Sequence, residues 1–272
     1  MSRAERIFCA CAPGLEPVLA RELDSLGLEA RPVAGGAEAE GDLAAATACL
    51  ASRAADAVLL RLWEGPAEDL RAGKREAARA AGPLPLLVRS AGGRGTVSVD
   101  AAGAPLFKRG WRARVGAAPL RESLAAGILL ACGWNGEAPF LDPMCGSGTL
   151  AVEAALVASR RAPGLGRAFA FERLPGHDAA RTARLRAHLA AQARPVKVPV
   201  AASDRNGGAV RLAARNAAAA GVDGILRIAR ADAASVVPPP GRGLCATNLP
   251  WGVRLEERGA REALAALVPR LS

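Results

Sequence analysis

Apolar positions along this chain follow two different rhythms, and the change between them divides it. A short apolar run, Arg6-Ile-Phe-Cys-Ala-Cys-Ala12, ends at a Pro13-Gly14 turn, after which LEPVLARELDSLGL begins. There Leu15, Val18, Leu19, Leu23 and Leu26 recur at helical spacing, and Gly27 is placed to stop the helix. A hairpin-like stretch at Gly35-Gly36, a second helix from about Leu43 to Ala55 and a strand over 57–63 follow. Strand, helix, two strands, helix and strand in that order predict a small α+β domain.

The pattern weakens from Glu64 to Gly95, where Pro, Gly and Arg dominate and only LPLLVRS reads as a strand. Val97 and Val99 alternate before an AAG turn, which predicts a hairpin there. From Pro119 onward strands and helices alternate. PLRESLAAGILLACGW, GTLAVEAALVASRRA, AVRLAARNAAAAG and REALAALVPRL read as helices; PFLD, VKVPVAASD, GILRIARAD and GLCATNLPWG read as strands. Strands separated by helices of about 10 to 15 residues predict βαβ units and a parallel sheet.

Composition narrows the class. The 272 residues suffice for two modest domains. No window approaches the roughly 18 uninterrupted apolar residues of a membrane span, and the first residues lack a signal-peptide core, so a cytoplasmic location is expected. The six cysteines contain no CxxC pair and only His177 and His188 could join them. Reduced, mostly buried thiols and no metal are expected. The net charge of +10 suits a polyanionic partner such as RNA. Yet only three of the 36 basic residues are lysines and tyrosine is absent, a bias that touches every position and weakens the charge argument.

The chemistry concentrates where Leu141-Asp-Pro-Met-Cys-Gly-Ser-Gly-Thr-Leu150 runs into a helix. A strand ending in an acid, a two-glycine turn and a helix N-terminus describe a nucleotide-type pocket. Gly146-Ser-Gly148-Thr-Leu-Ala151 also fits the dinucleotide fingerprint, with Glu172 as a candidate ribose acid. Asp142 favours S-adenosylmethionine, since its carboxylate can face a cationic amino-acid end but would repel a pyrophosphate. Asp204, Asp232 and Asn248 then close three further strands, so four strands deliver a polar residue to the carboxyl edge where open α/β sheets bind ligands. In Asn248-Leu249-Pro250-Trp251, the Asn248 oxygen and a following carbonyl can accept from an exocyclic amine and aim its lone pair at a methyl donor. Pro250 stiffens the turn, and Trp251 offers a face on which a flipped base can stack. Lys108, Arg109, Arg112 and Arg114 around Trp111 read as a phosphate clamp with a stacking ring.

These blocks resemble the bacterial THUMP-associated RNA guanine-N2 methyltransferases, the group containing the large-subunit rRNA and the tRNA guanine-N2 enzymes. The resemblance runs through PLFKRGWR, APLRESLAAGILLACGW, PFLDPMCGSGTLAVEAALVASRRAPGL and ASDRNGGAVRLAARNAAAAGV, and FCACAPGLEPVLARELDSLGLEA resembles the family's ferredoxin-like opening. It implies that Asp142, Gly146 and Gly148 line the methionine side of S-adenosylmethionine, with Met144 and Thr149 of the same turn among the cofactor residues. It further implies Asp204 on the ribose, Asp232 on the adenine and Asn248 to Trp251 at the target amine, and it demotes Glu172 to a family-typical insertion. The fold expected is a class I, Rossmann-like α/β methyltransferase sheet over 119–272. A ferredoxin-like segment (1–65), an abbreviated THUMP-like region (66–104) and a basic linker (105–118) precede it.

Three departures shape the expectation. About 30 weakly patterned residues stand where the family has a full RNA-binding module, and N-L-P-W replaces the N-P-P-aromatic motif of the rRNA enzymes. The sheet is expected to stop at its fourth strand rather than its seventh, which leaves an edge for a partner or second copy to cover, or a longer reading frame to complete. The competing readings are a non-catalytic RNA-binding or partner-binding remnant and an N-methyltransferase acting on another amine or on DNA adenine.

Overall fold

A computed structural model describes residues 4–112 and 120–249, together with Ala265. The chain forms two compact units: Met1–Arg109 with Ala162–Gln192, and Gly110–Arg161 with Ala193–Ser272. In chain order the elements begin β1 (Glu5–Ala10), α1 (Glu16–Ser25), β2 (Glu29–Val33), β3 (Gly36–Gly41), α2 (Ala44–Ala51), β4 (Ala57–Pro66), α3 (Leu70–Ala81), β5 (Leu86–Ala91) and β6 (Arg94–Asp100). They continue α4 (Glu122–Ala131), β7 (Phe140–Asp142), α5 (Thr149–Ala158), α6 (Ala179–Ala191), β8 (Val200–Asp204), α7 (Gly207–Ala219), β9 (Leu226–Arg230) and β10 (Leu244–Cys245).

The first unit holds an antiparallel sheet ordered β2-β3-β1-β4-β6-β5. Its first four strands with α1 and α2 form the βαββαβ unit that the N-terminal periodicity predicts, in the ferredoxin-like arrangement that the resemblance implies. Ile7 and Cys9 of β1 sit beside Leu60 and Val58 of β4, and both pairs are buried with Leu19, Leu23 and Leu50 of the helices. Side chains alternate along a strand, so the other surface takes the charges. There Arg6, Arg31 and Arg61 are joined to Glu38 and Glu64 by ion pairs.

Residues 66–104 differ from their sequence reading. The stretch after Glu64 forms α3, which buries only Gly73, Ala77 and Ala81, residues too small to register as a hydrophobic stripe. Gly73 admits the Trp63 ring at a position where any Cβ would collide with it. The hairpin also lies earlier than expected: LPLLVRS pairs with RGTVSVD across Gly92-Gly93, both at positive φ, and the AAG segment only follows β6. β5 and β6 thereby extend the first sheet. Residues 162–192 complete this unit, with Phe171 N–H donating to the Ala101 carbonyl at 2.9 Å and Gly164 N–H to the Leu50 carbonyl at 2.9 Å.

The second unit is built on a parallel sheet ordered β10-β7-β8-β9. Phe140, Val200 and Ala202 face a core shared with Ala125 and Leu129 of α4, Val152 and Ala155 of α5, and Ala213 and Ala217 of α7. Leu141 packs with Val236, with Ala201 and Cys245 against them. Apolar positions thus lie on both faces, as expected for parallel strands. Strand order reverses beside β7, with β8 and β9 to one side and β10 to the other, which opens a crevice at the carboxyl ends of β7 and β10. Among the described residues no helix is long and apolar enough to cross a membrane.

Candidate functional site

β7 ends in Asp142 at the reversal of strand order, and only 1% of this residue reaches solvent. Burial disfavours its charged form and lifts its pKa to about 7; the nearby Asp204 carboxylate pushes the same way. The Thr247 hydroxyl and the Met144 N–H, 3.4 Å from Oδ1, oppose the shift. Thr247 Oγ1 is buried without a hydrogen bond of ordinary geometry, so its hydroxyl acts as a nearby dipole rather than as a full donor. No cation among the described residues pairs with Asp142. A buried carboxyl this poorly compensated has the chemistry to accept a cationic group.

The turn after Asp142 is fastened from behind. Cys145 N–H donates to the Ser203 carbonyl at 2.9 Å, and Gly146 N–H donates to Asp204 Oδ2 at 2.9 Å. Asp204 Oδ1 also accepts from Asn206 N–H at 2.8 Å, so both oxygens hold backbone. Gly146 and Gly148 take the left-handed backbone that suits glycine, with φ of 52° and 81°. Gly148 also lies so close to α7 that an added Cβ would meet the Ala213 Cβ at 2.9 Å. The buried Asn216 of α7 donates Nδ2 to the Ser147 carbonyl at 2.9 Å. α5 then starts at Thr149 and points its unpaired N–H groups toward the turn.

The remaining candidates occupy the same edge. β9 stops at Arg230, so Asp232 lies two residues beyond it, exposed, with Oδ1 accepting from Ala234 N–H at 2.9 Å. Asn248 is exposed and Leu249 partly buried just after β10, while Pro250 and Trp251 lie outside the described residues. Glu172 belongs to the first unit and pairs with Arg186 at 2.5 Å, which accounts for it without a ribose. Among the described residues no cluster of His, Cys, Asp or Glu is arranged to hold a metal.

The basic cluster is a correction. Trp111 is 5% exposed and belongs to the core that contains Leu129 and Phe140, so its face is covered rather than offered for stacking. Arg109 is buried and donates Nη2 to the Arg53 carbonyl at 2.6 Å. Arg112 donates Nη2 to the Leu120 carbonyl at 2.7 Å and to Thr149 Oγ1 at 2.9 Å, with Nε 3.4 Å from Glu122 Oε1. Of the three described basic residues, only Lys108 stands in solvent; Arg114 lies outside the described residues. Charge and spacing look alike in a clamp and in a buried brace; the packing decides between them. Sequence reasoning missed Ser147, Ser203, Asn216 and Thr247. Only Asn216 left a signal, an amide on the alanine stripe of α7 that also holds Ala213 and Ala217.

Comparison with known proteins agrees with this architecture. Residues 109–270 match the RMKL-like methyltransferase domain family, and residues 6–59 match the RlmL ferredoxin-like domain. The ribosomal RNA large subunit methyltransferase K/L of Vibrio campbellii is 40% identical over 178 residues, covering 63% of this chain and 25% of that protein. Its namesake from Magnetococcus marinus is 33% identical and covers 93% of this chain and 44% of that protein. The chain therefore spans between a quarter and a half of the length of these relatives. SMU.472, a putative methyltransferase complexed with SAH, superposes with a TM-score of 0.83 at 26% identity over 98% of this chain and 88% of its own. A predicted N6-adenine-specific DNA methylase from Listeria monocytogenes gives a TM-score of 0.86 at 25% identity over 97% of this chain and 85% of its own. With its switch-point acid, its glycine turn and this match over more than half its length, the chain belongs to the RMKL-like methyltransferase domain family.

Proposed function

We propose that this chain binds S-adenosylmethionine at the β7–β10 crevice and transfers its methyl group to an exocyclic amine of RNA, the N2 of a guanosine in rRNA or tRNA. The observation that carries the reading is the pairing of a buried, uncompensated Asp142 after β7 with Asn248 after the adjacent β10. The rRNA methyltransferase names of the relatives and the SAH of a structural neighbour support the substrate class and the cofactor.

Bound S-adenosylmethionine supplies a methyl group on a sulfonium, which leaves as a neutral thioether. Asp142 accepts the ligand's ammonium, and the glycine turn with the α5 N-terminus brings backbone N–H groups close to its carboxylate. Asp204 and Asp232 serve the ribose and the adenine. The Asn248 side-chain oxygen takes a hydrogen bond from the target amine and turns its lone pair out of conjugation. Positioning and desolvation then carry the rate: the thioether leaves neutral, and the methylated amine, cationic once the bond has formed, releases its extra proton to water without a strong base. By the family motif, Leu249, Pro250 and Trp251 would complete the target-amine site.

Calorimetric titration with S-adenosylmethionine, beside an Asp142→Ala variant that unfolds cooperatively, tests the pocket. Methyl transfer to deproteinised rRNA, tRNA and duplex DNA tests the substrate. Transfer to RNA that is lost in Asn248→Ala supports the reading; full activity in that variant overturns the assigned amine site. The DNA arm addresses the adenine N6 alternative that the Listeria neighbour's description raises. Binding without transfer to any of the three favours the non-catalytic remnant.

A further inference from the structure

Arg112 belongs to no assigned role once the clamp is set aside, yet its placement is costly. Its side chain is 11% exposed and lies beside the first residue of α5, where a positive charge opposes the helix dipole. Glu122, whose side chain is 4% exposed, offsets that charge from 3.4 Å. A buried ion pair of this kind gives little net stability. Its geometry instead fixes one hydrogen-bond direction. Guanidinium can only donate, so Thr149 Oγ1 is the acceptor of the 2.9 Å contact with Arg112 Nη2.

The Thr149 hydroxyl lies 3.4 Å from Ser147 Oγ, and either could donate to the other. Burial decides between them. Thr149 is 5% exposed, so leaving its proton unpaired would cost about 1 to 3 kcal/mol. Ser147 is only partly buried, in the turn between Gly146 and Gly148, and its proton can reach a ligand or water. The order that satisfies both hydroxyls runs from Arg112 to Thr149 to Ser147. Ser147 is then left with its proton free for a ligand or water.

We propose that Arg112, through Thr149, is a positioning residue that holds Ser147 as the hydrogen-bond donor for the carboxylate of the bound amino-acid moiety. The proposal rests on reading the crevice as an S-adenosylmethionine site. Asp142 would take the ammonium and Ser147 the carboxylate, so one turn would recognise both ends of a zwitterion.

The test compares two ligands, S-adenosylmethionine and 5′-methylthioadenosine, which keeps the nucleoside and loses the amino-acid group. Thr149→Val and Ser147→Ala should each weaken S-adenosylmethionine about tenfold, the scale of one hydrogen bond to a charged group, and leave 5′-methylthioadenosine unchanged. Arg112→Met should do the same. Because Arg112→Met also removes the cation beside the buried Glu122, Thr149→Val is the variant that decides should Arg112→Met not fold. The Thr149→Val and Ser147→Ala effects should overlap rather than add in the double variant. Equal weakening of both ligands would mean a purely structural brace and overturn the proposal, as would no weakening of either. A wild-type chain that binds neither ligand overturns the cofactor reading itself, a separate outcome.

Discussion

Gly146 N–H donates to Asp204 Oδ2 at 2.9 Å, so the glycine turn after β7 is held by the last residue of the neighbouring strand. The same carboxylate holds Asn206 N–H with its other oxygen. Asp204→Ala should leave the part-buried Gly146 N–H without its partner, while the exposed Asn206 N–H turns to water, and destabilise the protein by about 1 to 3 kcal/mol. Asp204→Asn, which keeps one oxygen as acceptor, should lose less. Chemical denaturation of both variants checks the order, and equal losses would show that the oxygen kept in Asp204→Asn contributes nothing as an acceptor.

Asp142 predicts two opposite pH dependences. Its carboxyl titrates near 7 in the folded chain against about 4 when unfolded. Between those values the folded state holds the extra proton, so this group's contribution is fully present below about pH 4 and is lost as pH rises through about 7. Affinity for a cationic ligand should move the other way and strengthen as pH rises through 7. Asp142→Asn should flatten both curves, which denaturation midpoints and ligand titrations from pH 5 to 8.5 would display.

The two glycines of the turn should respond unequally. Gly146→Ala meets open space and carries only the strain of a positive φ, about 1 to 2 kcal/mol. Gly148→Ala adds a clash with the Ala213 Cβ and has to push α7 away. It should cost roughly 2 kcal/mol more. Thermal melts of the two single variants rank them, and an equal drop would contradict the close approach of α7.

Trp111 and Lys108 separate a brace from a clamp. Trp111→Ala should cost about 3 to 5 kcal/mol as a core deletion, with a lowered melting temperature and no need for RNA to reveal it. Lys108→Ala should leave stability within about 0.5 kcal/mol. A mild Trp111→Ala phenotype in the free protein, paired with a large loss of RNA affinity, would restore the stacking role.

Sequence order alone carried the βαββαβ start, the alternation of the second unit and the acids that end β7 and β8. Those features live in local periods and in turn residues, which act over a few positions. Leu15, Val18, Leu19 and Leu23 announce α1 because one face of a helix needs them, and all four are buried as expected. α3 left no such mark, since Gly73, Ala77 and Ala81 become a packing face only when Trp63 and β6 are there to receive them. α6 was hidden in the same way among arginines. One of them, Arg186, earns its place by donating to the Leu165 and Arg167 carbonyls and to Glu172.

Local sequence placed the candidate chemistry along one edge: Asp142 and Asp204 end β7 and β8 on either side of the glycine turn, and Asn248 follows β10. Parallel strands share one carboxyl edge whatever their details. What each polar group is paired with came from the packing of the chain. It turned Arg112 and Trp111 from a surface clamp into a brace behind α5, assigned residues 162–192 to the first unit, and brought Asn216 and Ser203 against the glycine turn. The physical reason is that burial and hydrogen-bond partnership depend on contacts between residues far apart in sequence. Residue type states what a side chain can do, and packing selects which of those things it does.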